Sequence, residues 1–188
     1  PGLLKRWYEE RQEMQRKMRE CGDNEIEREY WDKRQLVKKI NLNSLYGAIL
    51  NPGCRFFDIR IGQSVTLTGR CITKHMASKV NEVVTGEYDH KGESIVYGDT
   101  DSVYFSAYKT LQKEIKDGLI PWTKDSVVGL YDKISDEVNT SFKAFMTKAF
   151  HTPATRGEVI AAGRELVASK GLFITKKRYA VLYYDKEG

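Results

Sequence analysis

Two aspartates stand two positions apart within residues 94–107, which read SIVYGDTDSVYFSA. The runs on either side, residues 95–97 and 103–105, are rich in β-branched and aromatic side chains and therefore predict two short strands. The glycine and aspartate between the runs suit a tight turn. The segment thus predicts a β-hairpin that carries Asp99 and Asp101 at its tip.

A metal ion is the partner that these two carboxylates favour. In locally extended backbone Asp99 and Asp101 would point to the same side, and two negative charges so close repel unless a cation lies between them. Mg²⁺ is commonly bound through one or two carboxylates together with the phosphates of a substrate. The alternative is an Asp-rich turn whose side chains only make local hydrogen bonds.

A second polar arrangement lies on a predicted helix that runs to about Leu50, before Pro52 and Gly53. Four residues at the spacing i, i+4, i+7 and i+8 share one face of it: Lys39, Asn43, Tyr46 and Gly47. Lysine and asparagine can bind phosphate oxygens, tyrosine offers a flat ring to a base pair, and glycine lets that pair come close. The alternative is an amphipathic helix with an incidental polar stripe.

Helical patterns surround these two sites. Residues 3–20 carry apolar side chains at helical spacing, and Asn24 with Glu27 forms a capping box that begins the second helix. Joined by a short turn, the two make an antiparallel helical hairpin. Further helices are predicted over residues 61–84, with Gly86 as the stop, and from a cap at Thr123 or Asp125 to about residue 149.

The last part of the chain is β-like. Residues 158–168 predict one strand region, and residues 171–185 alternate and predict another. The second region contains the basic cluster Lys176-Lys177-Arg178-Tyr179. In a strand Lys177 and Tyr179 would share one face and the other two side chains the opposite face, so only one pair could contact a ligand.

Composition sets the class of protein. The 188 residues carry a formal net charge of +5 and a pI of about 9.0, which mildly favours a polyanionic partner. Cys21, Cys54 and Cys71 are odd in number and far apart, which favours a reducing, intracellular compartment over a disulfide framework or a zinc site. No apolar run approaches the ~20 residues that span a bilayer, so no membrane partner is expected.

Both polar motifs resemble one family. Tyr-Gly-Asp-Thr-Asp-Ser at residues 97–102 is similar to the metal-binding hairpin of the family B DNA polymerases, and residues 39–47 are similar to that family's Lys-x-x-x-Asn-Ser-x-Tyr-Gly helix. The residues of both motifs are similar to those of the polymerases of large tailed bacteriophages. The resemblance implies an α+β fold, with a projecting antiparallel helical hairpin on an antiparallel β-sheet palm that two long helices back. Residues 1–50 would be the fingers and residues 51–188 a partial palm.

The activity that this resemblance implies is DNA-templated DNA synthesis with two Mg²⁺ ions, in which the primer 3′-hydroxyl attacks the α-phosphate of a deoxynucleoside triphosphate. Asp99 and Asp101 would be the catalytic, metal-binding residues, and Glu165 a weaker accessory carboxylate. The incoming nucleotide would be bound by Arg11, Lys39, Asn43, Tyr46 and Gly47. Primer–template DNA would be bound by Lys176, Lys177, Arg178 and Tyr179.

The sequence departs from the family in two places. The family's earlier palm strand, Asp-x-x-Ser-Leu-Tyr-Pro-Ser, does not occur, so the chain is expected to be a fingers-and-palm portion that is inactive alone. The first fingers helix usually carries Arg-x-x-x-Lys, whereas Arg11 here is followed by Gln15, with Arg16 and Lys17 just after it.

The partners that the resemblance implies are primer–template DNA, deoxynucleoside triphosphates and the remainder of the polymerase: exonuclease, first palm strand and thumb. It leaves room for a sliding clamp, and a phage-encoded enzyme would act in the host cytoplasm. One alternative is a non-catalytic nucleic-acid-binding module on this scaffold, against which the presence of both aspartates argues. The other is an RNA-dependent polymerase, whose hairpin typically has adjacent aspartates, whereas Thr100 separates them here.

Overall fold

An α+β fold, as the sequence predicts, is formed by residues 2–186, which are the residues that the computed structural model describes. In chain order the elements are α1 (Gly2–Glu20), α2 (Glu25–Leu50), α3 (Ile59–Thr85), β1 (Ile95–Gly98), β2 (Val103–Phe105), α4 (Gln112–Lys116), α5 (Lys124–Phe150), α6 (Ala154–Gly157), β3 (Leu166–Thr175) and β4 (Arg178–Lys186). Pro1 of the predicted fingers, and Glu187 and Gly188 of the predicted palm, lie outside the described residues.

The chain forms two compact units, Pro1–Thr66 and Leu67–Gly188, and the boundary between them lies within α3. The assignment of residues 1–50 to fingers and of residues 51–188 to a palm is a functional division, and it stays a prediction. Each unit is described separately below.

The first unit contains the predicted helical hairpin. Asn24 caps α2 by accepting a hydrogen bond from the Glu27 amide at 3.2 Å, as the sequence predicts. Along the two helices, Lys38 Nζ lies 2.5 Å from Glu10, and Arg11 Nε donates to Gln35 at 3.2 Å. Lys17, later in α1, lies over the Trp31 ring, earlier in α2, so the helices run antiparallel.

The second unit is built around α3 and α5. The core residue Phe142 and its neighbour Val138, both of α5, pack with Val80 of α3 and with Ala107, which follows β2. Thr123 caps α5 by accepting from the Ser126 amide, and Gly86 ends α3 with a φ of +87° that favours glycine. Both helix boundaries agree with the sequence prediction.

Two antiparallel hairpins, β1–β2 and β3–β4, complete this unit as separate two-stranded sheets among the described residues. The predicted strand at residues 158–168 is wrong, because α6 is followed by irregular chain and β3 begins only at Leu166. The predicted single strand at residues 171–185 is also wrong, because the chain turns back at Lys176 and Lys177. A strand and a tight hairpin share the same alternation, so the pattern alone did not reveal the turn.

Asn81 of α3 fixes the chain that leads into β1. Its side chain is 1% exposed, donates to the Glu87 carbonyl at 2.8 Å, and accepts from the Ser94 amide at 3.1 Å and the Ser94 hydroxyl at 2.7 Å. Gly92 lies so close that a Cβ built there would be 2.0 Å from Asn81 Nδ2. The start of the metal-hairpin candidate is therefore held by a satisfied buried amide.

We expect Gly92→Ala to destabilise the chain by about 2 kcal/mol or more, because the added methyl collides with an amide that cannot move without losing buried hydrogen bonds. Gly129→Ala in α5 is the matched control. A Cβ there would meet nothing within 4 Å, so the substitution should stabilise the helix by about 1 kcal/mol. Urea denaturation measures both free energies of unfolding, and equal stability of Gly92→Ala and the unsubstituted chain would contradict the close contact.

His75 of α3 is a buried polar link to α5 and to the loop that follows α3. Its Nε2 lies 2.9 Å from the Ser141 hydroxyl, which donates its own proton to the Val138 carbonyl at 2.6 Å. Nδ1 of the same ring lies 2.7 Å from the Tyr88 hydroxyl, so both ring nitrogens have a hydrogen-bonding partner. Burial, and secondarily the charge of Lys79, lowers the pKa of His75 below its ordinary value of 6.5.

A lowered pKa makes His75 a source of acid sensitivity. The native chain prefers the neutral ring, so the stabilisation is present above pH ~6.5 and is lost as the pH falls through the lower, native pKa. We expect His75→Gln to be less stable at neutral pH but to lose part of the decline between pH 6.5 and pH 5. Melting temperatures across this range measure the slope. His90→Gln, on a more exposed ring outside this buried network, is the control variant.

Candidate active site

The tip of the β1–β2 hairpin places the two aspartates differently. The Asp99 amide donates to the Ser102 carbonyl at 3.0 Å, which closes the turn. Oδ1 of Asp99 accepts from the Thr100 amide at 2.9 Å and from the Thr100 hydroxyl at 3.2 Å. Asp101 is exposed, and its carboxylate accepts no hydrogen bond from residues 2–186. Asp99 is thus oriented by its own turn, while Asp101 is left available.

The donor set fits part of a Mg²⁺ site. Two hard carboxylate oxygen groups on one short turn are suitable ligands, and one of them has no competing partner among residues 2–186. No cluster of three or more histidine, cysteine, aspartate or glutamate side chains suited to a metal ion exists in the part of the chain that the structure describes. These residues would therefore hold a metal together with groups from elsewhere, such as substrate phosphates.

The basic cluster lies at the turn between β3 and β4. Lys176 and Lys177 form the turn, and Arg178 and Tyr179 begin β4, so the prediction that alternate members share strand faces is wrong. Lys177 has a backbone φ of +64°, which is unfavourable for residues other than glycine or asparagine. Its amide donates to the Tyr97 hydroxyl at 2.8 Å. All four side chains are exposed.

Four aromatic rings join this basic turn to the aspartate hairpin. Tyr97 and Tyr104 of β1 and β2 contact Phe173 of β3 and Tyr179 of β4, with ring centroids between 5.2 and 6.0 Å apart. The Tyr104 hydroxyl donates to the Tyr179 hydroxyl at 3.0 Å. Burial, together with this hydrogen bond, raises the pKa of Tyr104 above its ordinary value. Within the second unit, the structure therefore brings Asp99 and Asp101 close to the predicted DNA-binding residues.

In the first unit the predicted nucleotide-binding face is open. Lys39, Asn43 and Gly47 are exposed, and Lys39 forms no ion pair with any residue between 2 and 186. Tyr46 is half-buried, and its hydroxyl donates to the Gly62 carbonyl at 3.3 Å. Gly62 lies against α2, because a Cβ there would be 1.9 Å from Leu50 Cδ2. The close approach fixes the acceptor that orients the Tyr46 ring.

The cations of α1 are used in different ways. Arg16 pairs with Glu13 and Glu20 on its own helix, each at 2.6 Å, and these hydrogen bonds raise the pKa of its guanidinium. Lys17 lies 4.6 Å from the Trp31 ring centroid. Arg11 is half-buried and bonds to the neutral Gln35. No carboxylate of the described chain neutralises the charge of Arg11, whereas Arg16 is paired with two of them.

A cavity of about 700 Å³ lies in the second unit beside the hairpin. Its walls include β2 and the first half of β3, with Val80 and Val138 of the two long helices among the apolar residues that line it. Asp101 and Glu165 are acidic residues of its lining. Asp101, a candidate metal ligand, and Glu165, the weaker candidate carboxylate, therefore line the same cavity.

Tyr97 and Tyr104 were missed as partners of the basic turn. Their contacts to residues 177 and 179 span 75 to 80 positions in sequence, and local patterns carry no information about such pairs. The aromatic content of both hairpins is the one sequence signal, since aromatic residues on neighbouring strands favour cross-strand contact.

The Lys177 conformation gives a stability test. We expect Lys177→Gly to be more stable than Lys177→Ala by about 1 kcal/mol, because glycine adopts a φ of +64° without the steric cost that alanine retains. The matched pair is Lys176→Gly and Lys176→Ala, where the backbone angle is ordinary and the glycine variant should be the less stable. Chemical denaturation measures both differences, and the same sign at both positions would contradict the assignment.

Comparison with known proteins adds a family. Residues 1–146 match the sequence profile of DNA polymerase family B. The chain is 32% identical over 166 residues to a DNA-directed DNA polymerase of Escherichia phage RB69, and 30% identical over 165 residues to that of Enterobacteria phage T4. These alignments cover 82% and 81% of the chain and 18% of each relative.

A more distant relative, DNA polymerase 1 of Pyrococcus abyssi, is 27% identical over 188 residues, which is 100% of the chain and 20% of that protein. The chain thus spans about a fifth of the length of these curated relatives. No solved structure matches it significantly. None of the helices within residues 2–186 has the length and apolar character needed to span a membrane.

Proposed function

Because this chain belongs to DNA polymerase family B, we propose that it forms the fingers and part of the palm of a DNA-directed DNA polymerase, which adds deoxynucleotides to a primer 3′ end. The observation that carries the proposal is the aspartate hairpin, whose available Asp101 carboxylate lies on a turn braced by aromatic contacts against a basic turn. Metal-binding and phosphate-binding side chains on two such neighbouring hairpins suit the end of a primer strand.

Asp99 and Asp101 are the residues that would hold Mg²⁺ in this proposal. Asp101 would be the more direct ligand, because its carboxylate accepts no hydrogen bond from the described residues. When bound there, two Mg²⁺ ions would supply the positive charge that lowers the pKa of the attacking hydroxyl and neutralises the triphosphate and the leaving oxygen. Asp99 contributes orientation as well as charge, since Thr100 holds its Oδ1.

The incoming nucleotide would contact α1 and α2. Arg11 and Lys39 would supply positive charge to the triphosphate, and Asn43 would add hydrogen bonds. Tyr46 would present its ring to the new base pair beside the open backbone at Gly47. Support for these roles comes from the exposure of Lys39 and Asn43 and from the hydrogen bond that fixes Tyr46.

Primer–template DNA would contact the β3–β4 turn. Lys176, Lys177 and Arg178 are exposed cations that can neutralise backbone phosphates, which supplies most duplex affinity in a salt-dependent way. Tyr179 would remain partly fixed by the Tyr104 hydroxyl, so its ring would support the primer terminus without large rearrangement.

The remainder of the polymerase would complete this site. Among the described residues β2 pairs only with β1 and β3 only with β4, so each of β2 and β3 has a free edge, and both strands line the 700 Å³ cavity. An added β-strand can satisfy such edges and fill an apolar groove. The first palm strand of the family, with its aspartate, is the occupant that we propose, and the chain alone would not extend a primer.

We expect Asp101→Asn, in the polymerase that carries this chain, to abolish primer extension while leaving duplex affinity nearly unchanged. The reason is that lysine and arginine side chains, rather than metal ions, hold the duplex. Asp136→Asn is the matched control and should keep both properties, because Asp136 of α5 is exposed and forms no ion pair with any described residue. Primer-extension rates and DNA affinity at fixed salt measure the effect. If Asp101→Asn keeps its rate, the chain is better described as a non-catalytic nucleic-acid-binding module.

The roles assigned to the cations of α1 can be tested by substitution. Arg11→Ala should raise the nucleotide KM far more than Arg16→Ala, because Arg16 is already paired with two carboxylates on an exposed face. Gln15→Lys should tighten nucleotide binding by about 1 kcal/mol, as a charged donor replaces a neutral one. Steady-state KM values for the three variants decide the assignment. Equal harm from the two arginine variants would show that the triphosphate faces a different side of α1.

A further inference from the structure

Thr73 of α3 contacts the tip of the aspartate hairpin. Its hydroxyl lies 3.0 Å from the carbonyl oxygen of Thr100, the residue between Asp99 and Asp101. All other hydrogen bonds of residues 99–101 within the described chain stay inside the turn itself. One hydroxyl therefore makes the tertiary hydrogen bond of the tip.

The position of this carbonyl matters because it belongs to the peptide that joins Thr100 to Asp101. Fixing the carbonyl limits rotation of that peptide, and the peptide sets the direction in which the Asp101 side chain leaves the backbone. Thr100 and Asp101 are exposed, so packing gives the tip little further restraint. The restraint from Thr73 thus acts on the carboxylate that is otherwise unconstrained.

The hydroxyl has a choice of acceptors. It also lies 3.1 Å from the Gly69 carbonyl, one turn earlier in α3. A threonine in a helix can make such a local hydrogen bond without any tertiary partner. The contact with Thr100 is therefore not required for α3 to form, and its removal should affect the hairpin tip more than the stability of the fold.

We propose that Thr73 is a positioning residue for the metal-binding turn, whose hydroxyl holds the Thr100–Asp101 peptide so that the two carboxylates are presented together. This inference rests on the proposed function, since it assigns the turn a metal to bind. Thr73 itself touches neither substrate nor metal in the proposal.

Thr73→Val tests the hydroxyl with little change of shape, and Thr73→Ser restores it. Thr147→Val is the matched control, because within the described chain Thr147 of α5 makes only the local hydrogen bond to the Lys143 carbonyl. The first readout is amide exchange of the Asp99 N–H in the 188-residue chain, followed by NMR. Exchange should accelerate about fivefold in Thr73→Val, the factor of one net hydrogen bond, and should stay near the unsubstituted rate in the other two variants.

The second readout is paramagnetic broadening of the hairpin amides as Mn²⁺ is added to the same chain. Broadening should centre on residues 99–102, and Thr73→Val should need several-fold more Mn²⁺ than the unsubstituted chain or Thr73→Ser. A merely structural role in α3 would leave this titration unchanged.

Two results would overturn the inference in distinguishable ways. Unchanged exchange in Thr73→Val, or equal acceleration in Thr73→Ser, would show that the hydroxyl does not hold the tip. Accelerated exchange without localised Mn²⁺ broadening in the unsubstituted chain would overturn the metal role proposed for the aspartates, and with it the purpose assigned to Thr73.

Discussion

The marginal stability of a two-stranded hairpin is the constraint on which the second unit depends. The β1–β2 hairpin carries Asp99 and Asp101 on a short turn and cannot rely on its own strand pairing alone. The surrounding chain supplies what the hairpin lacks. Asn81 fixes its entrance, the four-ring aromatic cluster braces its side, and the Thr73 hydroxyl reaches its tip.

These supports differ in burial, and their roles follow from it. Asn81 is buried with its amide fully engaged, so it resists displacement and contributes to the stability of the unit. The rings and the Thr73 hydroxyl lie nearer to solvent, where a lost contact is partly replaced by water. The base of the hairpin is therefore rigid, while the tip that would meet metal and substrate keeps some freedom to adjust.

In the first unit the corresponding division is between engaged and available cations. Lys38 pairs with a carboxylate of α1 at 2.5 Å and so links the two helices. Arg16 pairs at 2.6 Å with a carboxylate of its own helix. Lys39, one position from Lys38, points to solvent with no such pair in the described chain. A helix turns by about 100° per residue, so adjacent lysines serve different purposes: one holds α1 to α2, and the other is free for an anionic ligand.

Features that depend on residues a few positions apart could be predicted from the amino-acid pattern. The cap at Asn24, the stop at Gly86, the long helices and the hairpin around Asp99 were all predicted, because caps, helical periodicity and turn residues act within a few positions. Two kinds of feature could not be predicted in this way, because they depend on residues that are far apart in the sequence. The turn at Lys176 and Lys177 has no glycine or asparagine to reveal it, and its amide is instead satisfied by Tyr97, 80 positions away. The partners of His75, Asn81 and Thr73 likewise come from segments that meet only when α3 packs against α5 and the hairpin, and only that packing decides which polar side chains are buried, paired or left available.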